Sequence, residues 1–458
     1  MFGRIAGAAS LTVAAALAAG GVLGGPTIAE QVNGTSTAWH AGTTPKAPPP
    51  VLVSTVTGPT LEPTPEGVTA ALAQLVGLPG LGSHSGISVV DVANGKALYG
   101  KLPDAAMVPA SVTKLVTATT VLATRGPTYR LATAAASGPN PGDVVLVAGG
   151  DPTLSIGAGG SYAGAARLDD LAQQVKKSLG DAKATRVIYD ESLFSGDALG
   201  PGWDSDAATG GYGSPITALM TDGARVNPRK AIGGSTRYNK PDLAAAQAFA
   251  KLLGVPAQAV VPGTKPEGAK ELGRVESAPL LRIVEFMLAE SDNVVAEMMA
   301  RQVAIAKGQP ASFAGAAAAM KATLEQLGIP TAGYGLQDGS GLSRNGRLSP
   351  ALLTALLATA ARPDKPELHG VFTGLPVAGY SGTLAGRFRT VKGGSSAAGE
   401  VRAKTGTLTG VSSIAGLIVD ADGSTLAFAV IADANTSTPQ AMEALDRIAA
   451  ALAACGCE

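Results

Sequence analysis

Three short polar motifs occur along this chain, and they constrain its fold more tightly than any other feature of the sequence. They are Ser-Val-Thr-Lys at residues 111–114, Ser-Asp-Asn at 291–293 and Lys-Thr-Gly at 404–406. Each motif alone is short enough to arise by chance. All three in this order, each in a fitting local context, are much harder to dismiss. A single site built from all three motifs requires a fold that brings distant segments of the chain together.

The first motif pairs a serine with a lysine three residues later, and Ser111 is the only serine in the sequence with that spacing. On a helix the two side chains lie on one face. Serine is a weak nucleophile and needs an adjacent base, which a neutral Lys114 can supply. Neutrality near pH 7 requires a pKa well below the ordinary ~10.4. Burial and a second cation would lower it, and Lys404 is the natural candidate for that cation. The competing interpretation is a helix-capping serine beside a solvated lysine.

The second motif lies between two predicted apolar helices and therefore in a short loop. There Ser291 can relay a proton between a lysine and a leaving amine, and Asn293 can offer a donor and an acceptor to a substrate amide. A helix-capping loop is the competing interpretation. Ser343 and Asn345 form a second Ser-x-Asn motif, but in a glycine-rich stretch rather than between helices. Ser291 is therefore preferred.

The third motif runs into Thr407 and lies beside a predicted edge strand. An edge strand can pair with an extended peptide through main-chain hydrogen bonds. Gly406 leaves room where another backbone must approach closely. Lys404 and the hydroxyl groups of Thr405 and Thr407 suit a terminal carboxylate. Alone, Lys-Thr-Gly is more typical of a turn, but with the other two motifs it predicts a substrate-binding strand.

Besides the three motifs, four segments resemble those of a known family. They are residues 147–154, 201–203, 338–344 and 403–408. From about residue 86 to residue 452 the chain resembles the penicillin-binding protein 4-type D-alanyl-D-alanine carboxypeptidases, which are penicillin-recognising serine enzymes. The resemblance implies an α/β (α+β) fold. Its core would be transpeptidase/β-lactamase-like, an antiparallel sheet flanked by helices, with a smaller domain inserted after the Ser111 helix.

The resemblance also implies a role for each motif residue. Ser111 would be acylated, with Lys114 as the base. Ser291 and Lys404 would shuttle the proton. The oxyanion hole would consist of the backbone N–H groups of Ser111 and Thr407.

Arg344 lies in a glycine-rich loop and has two interpretations. It is either a solvated surface charge or a clamp for a substrate carboxylate. The second interpretation depends on the substrate, because a diaminopimelate-type stem residue carries a free carboxylate that a planar guanidinium can grip in two places.

Composition shifts along the chain suggest its division into domains. We expect an export signal or membrane anchor at 1–29, a Pro/Thr-rich linker at 30–66 and a tail at 453–458. The catalytic domain would combine residues 67–124 and 275–452, and residues 125–274 would form the inserted domain. The uncharged run at residues 5–28 fits either a cleaved signal or a retained anchor.

Charge and residue types exclude several other classes of function. The 35 basic and 35 acidic residues cancel, so nothing favours a nucleic-acid partner. His40, His84 and His369 lack the spacing of metal ligands, and no cofactor is expected. The two cysteines, in a Cys-Gly-Cys sequence at 455–457, fit a dispensable tail better than a redox pair.

The favoured function is an exported serine D-alanyl-D-alanine carboxypeptidase, with DD-endopeptidase activity also open. Its partners would be peptidoglycan stem peptides, with β-lactams as covalent inhibitors and membrane attachment possible through residues 5–28. One alternative is a β-lactamase or esterase on the same scaffold, although no Glu-x-x-x-Asn element that could activate a deacylating water follows Ser291. The other is a non-catalytic wall-binding protein, against which the intact triple motif argues.

Overall fold

The computed structural model describes residues 62–207, 209–230, 235–389, 391 and 397–457. The predicted export segment at 5–28 lies outside the described residues, as does the linker up to residue 61. None of the helices in the described ranges has the length and apolar character needed to cross a bilayer.

Strands and helices alternate along the chain. Up to residue 190 the elements are α1 (Pro65–Leu72), β1 (Ser85–Asp91), β2 (Ala97–Lys101), α2 (Thr113–Arg125), β3 (Ala132–Ser137), β4 (Asp143–Val147), α3 (Leu168–Leu179) and β5 (Arg186–Asp190). In the middle they are α4 (Pro241–Leu253), β6 (Val260–Pro262), β7 (Glu271–Glu276), α5 (Leu280–Glu290), α6 (Asn293–Ala306) and α7 (Phe313–Gln326). The last are α8 (Pro350–Ala360), α9 (Gly370–Thr373), β8 (Val401–Leu408), β9 (Val411–Val419), β10 (Thr425–Ala432) and α10 (Thr438–Ala453).

The first sheet joins strands from both ends of the chain. Within the described residues its order is β2-β1-β10-β9-β8, and every neighbouring pair is antiparallel. Its central strand β10 alternates between two faces, as the period of two in a strand requires. Leu426, Phe428 and Val430 pack in one core with α1 and α10, whereas Ala427 and Ala429 pack in the other with α2 and α5–α8. The fold class expected from the sequence is therefore confirmed.

The edge of this sheet holds the third motif. Strand β8 pairs only with β9 among the described strands, in a register that sets Lys404 opposite Ala415 and Gly406 opposite Ser413. Its other side faces the start of α2, where the first motif lies.

The second sheet consists of the strands between residues 132 and 276. Its order is β6-β5-β4-β3-β7, with parallel pairing of β4, β5 and β6 and antiparallel pairing of β3 with both neighbours. Helices α3 and α4 cover it and bury Leu171, Val175 and Phe249. The described part of the predicted insertion thus has its own core, while the domain boundaries themselves stay a prediction.

The C-terminal residues correct one expectation from the sequence. Cys455 and Cys457 form a disulfide, and both belong to the core that contains α1. The backbone N–H of Thr64 donates to the carbonyl of Cys457, and a Cβ atom at Gly67 would lie 2.6 Å from the backbone of that cysteine. The interpretation of these cysteines as a dispensable tail is wrong, because both are packed in that core.

Candidate active site

The nucleophile candidate lies at the start of a helix. Residues Ala110–Val112 form a 3₁₀ turn that continues directly into α2 at Thr113. Ala110 has a positive φ of 51°, a conformation that costs a residue with a Cβ atom about 1 kcal/mol or more. Ser111 is half-buried there, whereas Lys114 is fully buried one turn later. The sequence-predicted pair therefore lies on one face of the helix start, with only the serine facing solvent.

The side-chain nitrogen of Lys114 has three polar neighbours within hydrogen-bond distance. Its Nζ lies 3.0 Å from Ser111 Oγ, 2.6 Å from Asn293 Oδ1 and 2.7 Å from the carbonyl oxygen of Ser340. The last two atoms can only accept hydrogen bonds. A neutral amine has two N–H groups and one electron pair, so donation to these two acceptors leaves the pair directed at the hydroxyl of Ser111. This is the geometry that a general base requires.

The pKa of Lys114 is lowered to about 8 by burial, and the carboxylates of Asp338, Glu297 and Asp292 oppose that shift. For Lys404 the pKa falls well below its usual range because of burial and, second, because of the charge on Lys114. Burial is the first cause at both lysines. Repulsion between two ammonium groups is mutual, so the expected influence of Lys404 on Lys114 stays a prediction.

The second motif is a tight loop between α5 and α6. Ser291 has φ 57° and ψ 36°, in the left-handed region, and this ends α5 and turns its hydroxyl toward β8. Its Oγ lies 2.8 Å from Lys404 Nζ. Asn293, at the first turn of α6, contacts Lys114 through Oδ1 and donates from Nδ2 to the carbonyl of Tyr212 at 2.8 Å. The loop thus presents one side chain to each lysine.

Asp292, the middle residue of the motif, anchors this loop. Its Oδ1 caps α6 by accepting the backbone N–H groups of Val294 and Val295. Its Oδ2 pairs with the guanidinium of Arg225, and Arg237 lies 3.7 Å away; all three side chains are almost completely buried. Burial alone would raise the pKa of Asp292, but Arg237 and Arg225 hold it at about 2. Both arginines come from the predicted insertion, which therefore contributes to the placement of Ser291.

The third motif approaches the first more closely than a side chain at Gly406 would permit. A Cβ atom there would lie 2.3 Å from Ser413 Oγ, 2.8 Å from the backbone nitrogen of Ser111 and 2.9 Å from the carbonyl of Pro109. Real Cβ contacts are not that short, so the glycine is required by the chain itself. The sequence analysis expected room for another backbone, and the backbone that comes close is the protein's own at Pro109–Ser111.

The other residues of the third motif have distinct surroundings. Lys404 is fully buried and donates to the carbonyl of Thr405 at 2.8 Å as well as to Ser291. Thr405 Oγ1 lies 2.8 Å from Thr383 Oγ1. Thr407 is exposed. Its neighbourhood and that of Ser111 therefore form the open side of the site.

A turn at residues 338–341 closes the buried side of the site. Asp338 accepts hydrogen bonds from the indole N–H of Trp203 at 2.8 Å and from the backbone N–H of Gly341 and Ser343. Glu297, on α6, accepts the N–H groups of Gly339 and Ser340. Burial and the neighbouring Asp338 raise the pKa of Glu297 to about 7. The sequence analysis noted this turn only as a family-like segment and missed Glu297, whose one signal is a lone acid within an apolar helix.

The two remaining residues singled out from the sequence lie outside the lysine cluster. Ser343 is buried and its Oγ donates to the carbonyl of Pro201 at 2.6 Å, so it does not compete with Ser291 for Lys404. Arg344 forms a two-pronged pair with Asp204, at 2.8 and 2.9 Å, and donates to the carbonyl of Thr409 at 3.0 Å. Its side chain is 36% exposed. The fork that could grip a carboxylate is thus filled by one from the protein.

Across the described residues, no cluster of three or more His, Cys, Asp or Glu side chains could hold a metal ion. The site contains a serine hydroxyl, two buried lysines of lowered pKa and a second serine, Ser291, in contact with Lys404. That set of groups can perform nucleophilic acyl transfer with amine bases.

Comparison with known proteins agrees with this chemistry. The model of the D-Ala-D-Ala carboxypeptidase 3 (S13) family matches residues 68–234 and 229–453. The chain is 41% identical over 429 residues to Carboxypeptidase Rv3627c of Mycobacterium tuberculosis, covering 91% of this chain and 92% of that protein. It is 40% identical over 424 residues to Carboxypeptidase DacB of Mycolicibacterium smegmatis, covering 90% of each.

Solved structures resemble the fold. Penicillin binding protein 4 (dacB) from Haemophilus influenzae superposes with a TM-score of 0.68 at 24% identity, covering 82% of this chain and 97% of that one. The same protein complexed with a β-lactam gives a TM-score of 0.63 at 23% identity, covering 83% and 98%. The chain belongs to the S13 family of D-Ala-D-Ala carboxypeptidases, which are serine-type hydrolases. The family inferred from the sequence motifs is thereby confirmed.

Proposed function

We propose that this carboxypeptidase removes the terminal D-alanine from peptidoglycan stem peptides through an acyl-enzyme at Ser111. The observation that supports the proposal most directly is the contact of Ser111 Oγ with a buried lysine whose two other partners are both acceptors. The family acts on the cell wall, and we propose that the protein works outside the cytoplasm, exported through residues 5–28.

In the first step the hydroxyl proton of Ser111 passes to Lys114 Nζ while Oγ attacks the carbonyl carbon of the penultimate D-alanine. The oxygen of that carbonyl gains the negative charge. The backbone N–H groups of Ser111 and Thr407 would stabilise it, and the short approach of Gly406 to Ser111 keeps the two segments together.

In the second step the C–N bond breaks and the leaving nitrogen takes up the proton that Lys114 accepted in the first step, so that Lys114 is neutral again. Ser291 is suited to deliver it, since its hydroxyl contacts Lys404 and lies in the loop next to Asn293, the partner of Lys114. The substrate's terminal carboxylate would lie against the Thr405 and Thr407 hydroxyl groups. Water then attacks the acyl-enzyme with Lys114 again as base, which releases the shortened peptide and restores Ser111.

β-Lactams would acylate the same serine. The β-lactam complex of penicillin binding protein 4 from Haemophilus influenzae, which shares this fold, supports that expectation. The interpretation of this chain as a fast β-lactamase gains no support from Glu297, an acid close enough to influence Lys114, because it is fully buried and its carboxylate accepts backbone N–H groups. It is therefore not placed to activate a deacylating water.

The test has two parts on the same preparation. Fluorescent penicillin should label the protein covalently with one adduct per chain, and a D-Ala-D-Ala peptide should lose one D-alanine. Ser111→Ala should abolish both without changing the melting temperature. Labelling with no D-alanine release would refute the proposed substrate, and a penicilloyl adduct lost within milliseconds would favour the β-lactamase alternative.

A further inference from the structure

Glu297 is a buried acid one helical turn after Asn293, and the catalytic steps above do not use it. It is 0% exposed. One carboxylate accepts two adjacent backbone N–H groups, from Gly339 at 3.0–3.1 Å and from Ser340 at 2.8 Å. Burying an acid costs free energy unless its hydrogen bonds are satisfied. The two N–H groups satisfy Glu297, and the same contacts fix the turn at residues 338–341 against α6.

Ser340 links that acid to the base. Its N–H donates to Glu297, and its carbonyl oxygen, on the other side of the same residue, accepts from Lys114 Nζ at 2.7 Å. The helix of the nucleophile holds the same turn from its other side, because Thr117 Oγ1 donates to the carbonyl of Gly339 at 2.6 Å. The position of the Ser340 carbonyl therefore depends on side chains from two helices, the acid Glu297 on α6 and the neutral Thr117 on α2, as well as on Asp338 of the turn itself.

We propose that Glu297 is a positioning residue for the acylation step: by fixing the Ser340 carbonyl it directs the electron pair of Lys114 at Ser111, and its charge stabilises the protonated form of that amine. The proposal rests on the role of Lys114 as base proposed above. Without a fixed acceptor at Ser340, the amine could rotate and direct an N–H group rather than its electron pair at the nucleophile.

The charges around Lys114 determine the sign of the electrostatic effect. Asp338 faces it from the turn, Glu297 and Asp292 from α6 and its cap, and Lys404 from β8. Glu297 itself faces Asp338 and Arg301. Both oxygens of the Glu297 carboxylate accept backbone N–H groups, and this arrangement favours the ionised form of the acid. Removing its charge therefore lowers the pKa of Lys114.

The experiment compares two variants that loosen the same turn. Glu297→Gln keeps the shape but removes the charge and sets an amide donor against a backbone N–H. Thr117→Val removes the hydrogen bond to Gly339 with no change of charge. Glu325→Gln, an exposed acid on α7, is the surface control. For each variant, the second-order rate of penicillin acylation is measured between pH 5 and 10, and the melting temperature is recorded.

We expect both Glu297→Gln and Thr117→Val to lower the plateau rate, the first by tenfold or more. Only Glu297→Gln should move the midpoint of the acid limb, to lower pH by about one unit, the lower end of what a nearby opposite charge contributes. The midpoint does not depend on the folded fraction, so a destabilised variant still gives an answer. Glu325→Gln should match the wild type.

An acid-limb midpoint in Glu297→Gln equal to that of the wild type would overturn the proposal, and so would an unchanged plateau. A shift of the midpoint in Thr117→Val as large as that in Glu297→Gln would also overturn it, because the effect would then come from the turn rather than the charge. If the proposed function itself were wrong, the wild-type protein would not be labelled by penicillin at any pH.

Discussion

Replacing Gly406 with alanine tests how closely the third motif must approach the nucleophile. The new Cβ atom would meet Ser413 Oγ at 2.3 Å, the Ser111 nitrogen at 2.8 Å and the Pro109 oxygen at 2.9 Å. The serine hydroxyl can rotate, but the two backbone atoms cannot move without displacing the start of α2. Strand β8 must therefore shift by several tenths of an ångström away from Ser111.

That shift should reduce acylation more than stability. Overpacking of this kind costs ~1–3 kcal/mol of unfolding free energy, whereas loss of one oxyanion donor lowers the rate by ~10²–10³-fold. We expect Gly406→Ala to remain folded and to be acylated by penicillin at least ~100-fold more slowly. Stopped-flow or gel-based labelling gives the rate, and thermal unfolding gives the stability.

The matched control is Gly77→Ala, where a Cβ atom meets nothing within 4 Å. It should leave both the rate and the melting temperature unchanged. Wild-type acylation in Gly406→Ala, with or without a lower melting temperature, would refute the reasoning, since the close approach would then have no part in forming the oxyanion hole.

Three further predictions follow from the same contacts. Lys114→Ala should slow penicillin acylation more than Lys404→Ala, because it removes the base rather than a relay partner; rates in the reverse order would exchange the two roles. Asp292→Asn should cost several kcal/mol of unfolding free energy at pH 7, since it leaves buried guanidinium groups without their carboxylate. Because the pKa of Asp292 is depressed in the folded protein, its contribution to the free energy of unfolding is fully present above ~3.9, the pKa of the unfolded carboxyl. The contribution is lost as pH falls toward 2, so the denaturant midpoints of wild type and variant should converge in acid. Because Asp204 fills the Arg344 fork, Arg344→Ala should affect release from diaminopimelate- and lysine-containing peptides equally; a loss beyond tenfold confined to the diaminopimelate peptide would instead support a carboxylate clamp.

Much of the secondary structure could be predicted because its signals are local. Helix α8, Pro350–Ala360, begins at local signals in the sequence, since Ser349 caps it and a proline opens it. Helix α3 ends where Gly180 adopts a positive φ. Strand β3 is hard to predict because its sequence, Ala-Thr-Ala-Ala-Ala-Ser, has a single β-branched residue and no aromatic one, and its pairing with β4 and β7 decides its conformation.

The same distinction holds at the site. The pairing of Ser111 with Lys114 is a property of helix spacing, so it could be read from one segment. The contacts of Asp292 with Arg225 and Arg237 join residues far apart in sequence, and no periodicity reveals them. Glu297 was missed for a related reason, because an acid on a helix usually faces solvent and only the packing of a distant turn places it in the core.

Peptide mapping of the penicilloyl-enzyme by mass spectrometry tests the central claim most directly. We predict a single modified residue, Ser111, in the peptide that also contains Lys114. An adduct on Ser291 or Ser343, or no covalent adduct with folded protein, would contradict it.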